Sequence, residues 1–127
     1  LIDIDNFKRI NDGFGHHIGD VVLARVARTL ADALEENGFC GRIGGEEFAV
    51  YLTDIELETA CEHAERLRLA VSRVSVELDD GTTVRPTVSI GVAEAPRSLS
   101  VADGLRRADK AMYSAKNFGR NCVKVAA

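Results

Sequence analysis

The chain has 127 residues, of which 46% are apolar and 28% charged, the profile of one ordinary globular domain with a core of its own. At this length roughly two-thirds of the unfolded surface can be buried on folding, so no covalent staples are needed. The net charge of −4 argues against a nonspecific nucleic-acid binder, which needs a basic face to release counterions.

Taken in chain order, "LIDID" alternates, with Leu1, Asp3 and Asp5 on one face of a strand and Ile2 and Ile4 on the other. Asn6 to Asn11 predicts a short helix that Gly13 and Gly15 end. Residues 20 to 36 space Leu23, Val26, Ala27, Leu30, Ala31 and Leu34 as an amphipathic helix, stopped by Gly38. Phe39 to Ile43 and Glu47 to Leu52 flank Gly44-Gly45-Glu46 and read as a hairpin. Leu57 to Val74 carries a second long apolar stripe, and Asp79-Asp80-Gly81 is a turn. Val84 to Ala95 is β-branched, with a strand from Thr87 to Ala93. Ser100 and Asp103 form a capping box for a helix that runs to Gly119, and Cys122 to Val125 is a last strand. The order β-α-α-β-β-α-β-α-β, without repeats or linkers, predicts one α+β sheet with helices packed on it.

Candidate chemistry begins at Asp3 and Asp5. Period 2 puts both carboxylates on one face of a strand, where they repel unless a proton or cation relieves them. Alone, D-x-D more often marks a solvated strand edge. The hairpin shifts that balance: Gly44 and Gly45 turn the chain tightly, Glu46 sits at the tip, and Glu47 opens the returning strand. Solvated turns seldom carry two adjacent acids running into Phe48. Acids gathered from neighbouring strands make an oxygen-rich site suited to Mg²⁺ or Mn²⁺, and through it to a nucleotide.

Three separated stretches then resemble one family. R-I-G-G-E-E-F is similar to the signature loop of the GGDEF domain family, the diguanylate cyclases, in its common G-G-E-E-F form. "DIDNFKRINDGFGHHIGD" resembles the family's D-x-D-x-F-K-x-I-N-D…G-H-x-x-G-D segment, and "RADKAMYSAKNFGRN" resembles its R-A-D-x-A-[ML]-Y-x-A-K-x-x-G-R-N ending. Together they span nearly the whole chain in the right order. The resemblance implies a palm, or ferredoxin-like, mostly antiparallel sheet surrounded by helices, as in class III nucleotidyl cyclases. It implies that residues 1–127 form a GGDEF domain without its usual lead-in segment, and that two GTP are condensed into cyclic di-GMP by a homodimer.

By the same resemblance, Asp3, the backbone carbonyl of Ile4 and Glu46 hold two Mg²⁺ or Mn²⁺ ions per active site. Glu47 is a further metal contact or helps remove the 3′-hydroxyl proton. The amides of Phe7 and Lys8 receive phosphate at a helix start. Asn11 and Asp20 read guanine, where a carboxylate accepts from an edge that adenine lacks, and Lys116 and Arg120 bind phosphate. Each has an ordinary alternative: helix caps for Asn11 and Asp20, and complements to a helix C-terminus for Lys116 and Arg120. The adjacent His16 and His17 read as structural. Gly13-x-Gly15-x-x-x-Gly19 lacks dinucleotide-fold spacing.

Where relatives carry an R-x-x-D product-inhibition site, this chain has Glu35 and Gly38, so that site is expected to be absent. The widely spaced Cys40, Cys61 and Cys122 read as small core hydrophobes in a reducing, cytoplasmic setting. No apolar run approaches the roughly 18 residues of a membrane span, and the residues show no signal-peptide pattern. The chain begins inside a strand, so an upstream sensor or regulatory segment is expected in the full-length protein, and its membrane anchoring is left open. The competing reading is a catalytically silent GTP-binding domain that regulates an attached phosphodiesterase or partner.

Overall fold

The computed structural model describes residues 1–34 and 36–127. Along the chain lie β1 (Ile2–Ile4), α1 (Phe7–Phe14), α2 (His16–Ala33), β2 (Gly38–Arg42), β3 (Glu47–Leu52) and α3 (Leu57–Ser72). These are followed by β4 (Val76–Glu77), β5 (Thr83–Val84), β6 (Val88–Val92), α4 (Val101–Phe118) and β7 (Val123–Val125). Five strands form one sheet in the order β2-β3-β1-β6-β7, antiparallel except for the parallel pair β6–β7. β4 and β5 make a separate antiparallel ribbon.

The alternation read from "LIDID" places β1 at the centre. Ile2 stands opposite Phe48 and Ile90, and Ile4 opposite Val88, so these apolar side chains share one face. That face is closed by Val22, Val26 and Leu30 of α2 and by Ala64, Leu67 and Val71 of α3, each set at the three- and four-residue spacing of a helix stripe. Each valine, leucine, isoleucine or phenylalanine among them contributes about 1.5–3 kcal/mol on removal from water. The other face receives α4. A Cβ at Gly91 would stand 2.0 Å from the Ala108 carbonyl oxygen and 2.3 Å from the Met112 nitrogen, so helix backbone lies directly on strand backbone there. Ser100 caps α4 as the motif predicts: its hydroxyl accepts from the Asp103 amide at 3.1 Å and donates to the Asp103 carboxylate at 2.7 Å.

Several boundaries differ from the sequence reading. α1 runs through Gly13 and stops at Gly15, whose φ of 91° both closes α1 and opens α2 four residues earlier than predicted. α2 ends at Ala33 because Leu34 is already extended, and Gly38 instead opens β2. Val84 belongs to the β4–β5 ribbon, whose two-residue strands are too short to show a period, and the buried Pro86 separates it from β6. The three cysteines are free and half-buried rather than core residues. Among the described residues no helix is long and apolar enough to cross a membrane.

Candidate active site

The sheet register builds the site from the polar face of β1. Asp3 stands opposite Glu47 on one side and Ser89 on the other. Two residues on, Asp5 is 4% exposed, a depth at which a carboxylate needs partners for both oxygens. It has four. Oδ1 accepts from the Ser89 hydroxyl at 2.6 Å and from Lys116 Nζ at 2.9 Å. Oδ2 accepts from the Thr87 hydroxyl at 2.7 Å and from the Asn121 amide at 3.0 Å.

Lys116, in the last turn of α4, also donates to Asp3 Oδ1 at 2.7 Å and lies 3.4 Å from the Ile4 carbonyl oxygen. The repulsion expected between Asp3 and Asp5 is therefore relieved within the chain, by a half-buried ammonium that both acids share. Burial alone would raise the Asp5 carboxyl, but the hydrogen bonds from Ser89, Lys116 and Thr87 outweigh it and hold it below the usual carboxylate range. Glu47 moves the other way. Burial, then the charges of Asp3, Asp109 and Glu46, push its carboxyl above the ordinary glutamate value.

The hairpin loop is shaped differently from the tight glycine turn expected. Four residues, Ile43 to Glu46, join β2 to β3, and neither Gly44 nor Gly45 takes a left-handed φ, unlike Gly15, Gly81 and Gly119. Arg42 holds the tip instead: its Nε donates to the Gly44 carbonyl at 3.0 Å and its Nη2 to the Gly45 carbonyl at 2.9 Å. A Cβ at Gly45 would meet open space among the described residues, so the missing side chain leaves the backbone approachable from outside. Glu46 touches β1 through its backbone, its carbonyl accepting from the Ile4 amide at 3.2 Å. Glu47, which opens β3 as the sequence predicts, is the cross-strand neighbour of Asp3. Phe48 is 2% exposed and returns the strand to the core.

Beyond β1 the chain passes into α1, which starts at Phe7 and Lys8. Asn6, left-handed at φ 53°, makes no side-chain cap there, leaving the first-turn N–H groups open to an acceptor. Asn11 and Asp20 both lie inside helices, so the capping alternative fails for each. The Asn11 amide lies across the first turn of α2, where a Cβ on Gly19 would stand 1.7 Å from its Oδ1. Asp20 is exposed at the rim of a cavity of about 420 Å³ between α2 and β2, whose walls include Leu23, Ala27, Cys40 and Phe48. His16 and His17 are exposed on the first turn of α2.

Arg120 follows the C-cap of α4 at φ 65°, its side chain exposed, in the turn whose next amide bonds Asp5. Gly38 is the first residue of β2, while Glu35 lies outside the described residues. The structure thus gathers Asp3, Ile4, Glu46, Glu47 and Lys116 at one end of the central strands, with Phe7, Lys8 and the Asn11–Asp20 wall leading away from it. Among the described residues no three acidic, histidine or cysteine side chains form a preformed cation cage. The Asp3 carboxylate and the Ile4 carbonyl nevertheless converge on one cation, Lys116 Nζ, and hard oxygen donors of this kind suit magnesium or manganese. Sequence reasoning missed Ser89, Thr87, Asn121 and Arg42. Ser89 had a signal: a lone hydroxyl in the apolar run "VSIGV" has to find a buried partner.

The family model described as "Diguanylate cyclase, GGDEF domain" matches residues 1–122. This chain is a GGDEF domain. As a GGDEF domain it is 44% identical over 126 residues to the diguanylate cyclase DgcM of Escherichia coli, covering 99% of this chain and 30% of that protein. The GGDEF domain of YfiN, also called TpbB, from Pseudomonas aeruginosa superposes with a TM-score of 0.91 at 37% identity, over 99% of this chain and 79% of that one. The active GGEEF domain of a diguanylate cyclase from Vibrio cholerae gives 0.88 at 38%, over 99% of this chain and 80% of that one. The palm-like α+β cyclase fold expected from the resemblance is therefore the fold observed. The GGDEF domain spans about a third of the length of the curated relatives it matches.

Proposed function

We propose that this GGDEF domain condenses two GTP into cyclic di-GMP with release of two pyrophosphates. The observation that carries the reading is the meeting of the Gly44–Phe48 loop with the acid-bearing end of β1, where Asp3, Glu47 and the Ile4 carbonyl share one small volume. Asp3, the Ile4 carbonyl and Glu46 would hold two Mg²⁺ or Mn²⁺ ions, which supply charge neutralisation at the reacting phosphates when bound. The chain's own part is to bind and orient. The open amides at Phe7 and Lys8, with Lys116 and Arg120, take the triphosphate, by helix-terminus and charge-assisted hydrogen bonding. The cavity beside Asp20 is apolar enough for a purine, with Asn11 and Asp20 as its polar readers.

In each half-reaction the 3′-oxygen of one GTP attacks the α-phosphorus of the other, loses its proton to a base and displaces pyrophosphate. Glu47, beside Asp3, would take that proton or add a further oxygen ligand. One domain holds one GTP, so two must face each other, and the working species is a homodimer. An upstream sensor or regulatory segment would control that pairing. A substrate of this kind places the domain in the cytoplasm.

Incubating the intact protein with Mg²⁺ and GTP and chromatographing for cyclic di-GMP tests the reading. Product formation supports it. Bound GTP without product would identify a silent, regulatory GTP-binding domain, and neither binding nor product would refute the assignment altogether.

A further inference from the structure

Asp5 is the most deeply buried acid of the site, yet the metal and substrate roles above leave it without a task. Its two oxygens are saturated by four donors from three places: the β6 strand and the residue before it, the α4 ammonium, and the turn that follows α4. A carboxylate with every acceptor position in use is not free to ligate a cation. What it does reach is a strained segment. Gly119, Arg120 and Asn121 take φ values of 131°, 65° and 46° in succession; glycine and asparagine tolerate this region, whereas the arginine side chain disfavours it. An arginine in that region persists only where its surroundings hold it. Here the hold comes from two sides: the Asn121 amide donates to Asp5 at 3.0 Å, and the Asn121 side-chain oxygen accepts from Arg68 Nη1 at 2.8 Å. Arg68 is itself fixed to Glu65 one turn away on α3.

We infer that Asp5 is a positioning residue: with Arg68 it clamps the left-handed turn 119–121 and the Lys116 ammonium, and so sets where the two phosphate-binding cations stand. The inference rests on the proposed role of Lys116 and Arg120 toward the triphosphate. Asp5 touches neither substrate nor metal ion; it acts through the turn and the lysine.

The test uses Asp5→Asn and Arg68→Met in the intact protein, read by GTP kinetics and by hydrogen exchange at the Asn121 amide. In Asp5→Asn a carboxamide in either orientation offers one acceptor oxygen where four donors need two. The expected result is a KM for GTP raised about tenfold with kcat within about threefold, and faster exchange at Asn121. Arg68→Met, which approaches the turn from α3 without touching any carboxylate of the site, should raise KM in the same direction by about threefold. A kcat lowered about a hundredfold or more at unchanged KM would make Asp5 a group on the reacting atoms and overturn the inference. Unchanged constants and unchanged exchange would overturn it equally. Should Asp5→Asn fail to fold, Arg68→Met decides alone, and an unaltered KM with unaltered Asn121 exchange sinks the clamp. If the unsubstituted protein neither binds nor turns over GTP, the proposed function fails. The Asn121 exchange rates then still decide whether Asp5 holds the turn.

Discussion

Replacing Gly91 by alanine puts a methyl group at the point where α4 crosses β6. The new carbon would stand 2.0 Å from the Ala108 carbonyl oxygen and 2.3 Å from the Met112 nitrogen, against an ordinary contact of about 3.4 Å or more. Both obstacles are backbone, so no side chain can swing aside, and α4 has to retreat by more than about 1 Å. Overpacking of this kind costs about 1–3 kcal/mol, and the rigid surroundings argue for the upper end. With ~2.1 cal/mol/K of unfolding entropy per residue, a 127-residue chain has about 0.27 kcal/mol/K in total, so ~3 kcal/mol lowers Tm by about 11 °C. The same retreat reaches the site. Lys116 lies one helical turn beyond Met112, and its 2.7 Å contact with Asp3 would stretch past the ~3.2 Å limit of a good hydrogen bond. Gly91→Ala should therefore lose both thermal stability and cyclic di-GMP synthesis, measured by calorimetry and by product formation below the new Tm. A Tm lowered by less than about 3 °C with undiminished turnover would refute the packing argument.

Gly19→Ala collides with the flexible end of Asn11 and reaches the Phe7 ring only at an ordinary 3.5 Å, so the fold should survive with Tm within about 4 °C while the amide is displaced. GTP should then bind more weakly and its preference over ATP should narrow, measured as competing substrates; unchanged discrimination would remove Asn11 from base reading. Glu47→Gln tests the crowded acids. A carboxyl held above its ordinary value of 4.5 keeps a proton that the unfolded chain has given up, so metal-free stability falls as pH rises from there through the folded value. The glutamine variant should be the more stable protein at pH 7 in EDTA, with a flatter profile above about pH 4.5 in urea unfolding; a less stable variant at pH 7 would contradict the sign. Asp3→Ala and Glu46→Ala should each abolish Mg²⁺-dependent synthesis without unfolding the domain, as judged by circular dichroism, and near-normal activity in either would refute the ligand assignment. Turnover should rise more steeply than linearly with enzyme concentration, since two domains complete one product; strictly linear rates at dilute enzyme would exclude the dimer.

Local features carried their own information. The alternation of Ile2 and Ile4 against Asp3 and Asp5, the stripes at Val22–Val26–Leu30 and Ala64–Leu67–Val71, and the Ser100–Asp103 cap are short-range patterns, and the structure keeps all of them. The family motifs likewise mark the candidate site's residues along the chain. Boundaries were harder, because Gly13 was read as a stop where the helix continues, and the β4–β5 strands are shorter than any detectable period.

What the sequence determined by itself was therefore the sheet-and-helix plan, the apolar faces and the set of acids and cations available for chemistry, since each follows from neighbours along the chain. Only the tertiary structure decided that Glu47 faces Asp3, that Lys116 neutralises Asp3 and Asp5, and that Asp5 holds the turn after α4. Those relations join residues 44 to 116 positions apart, and strand register and helix crossing, which bring them together, depend on packing over the whole sheet.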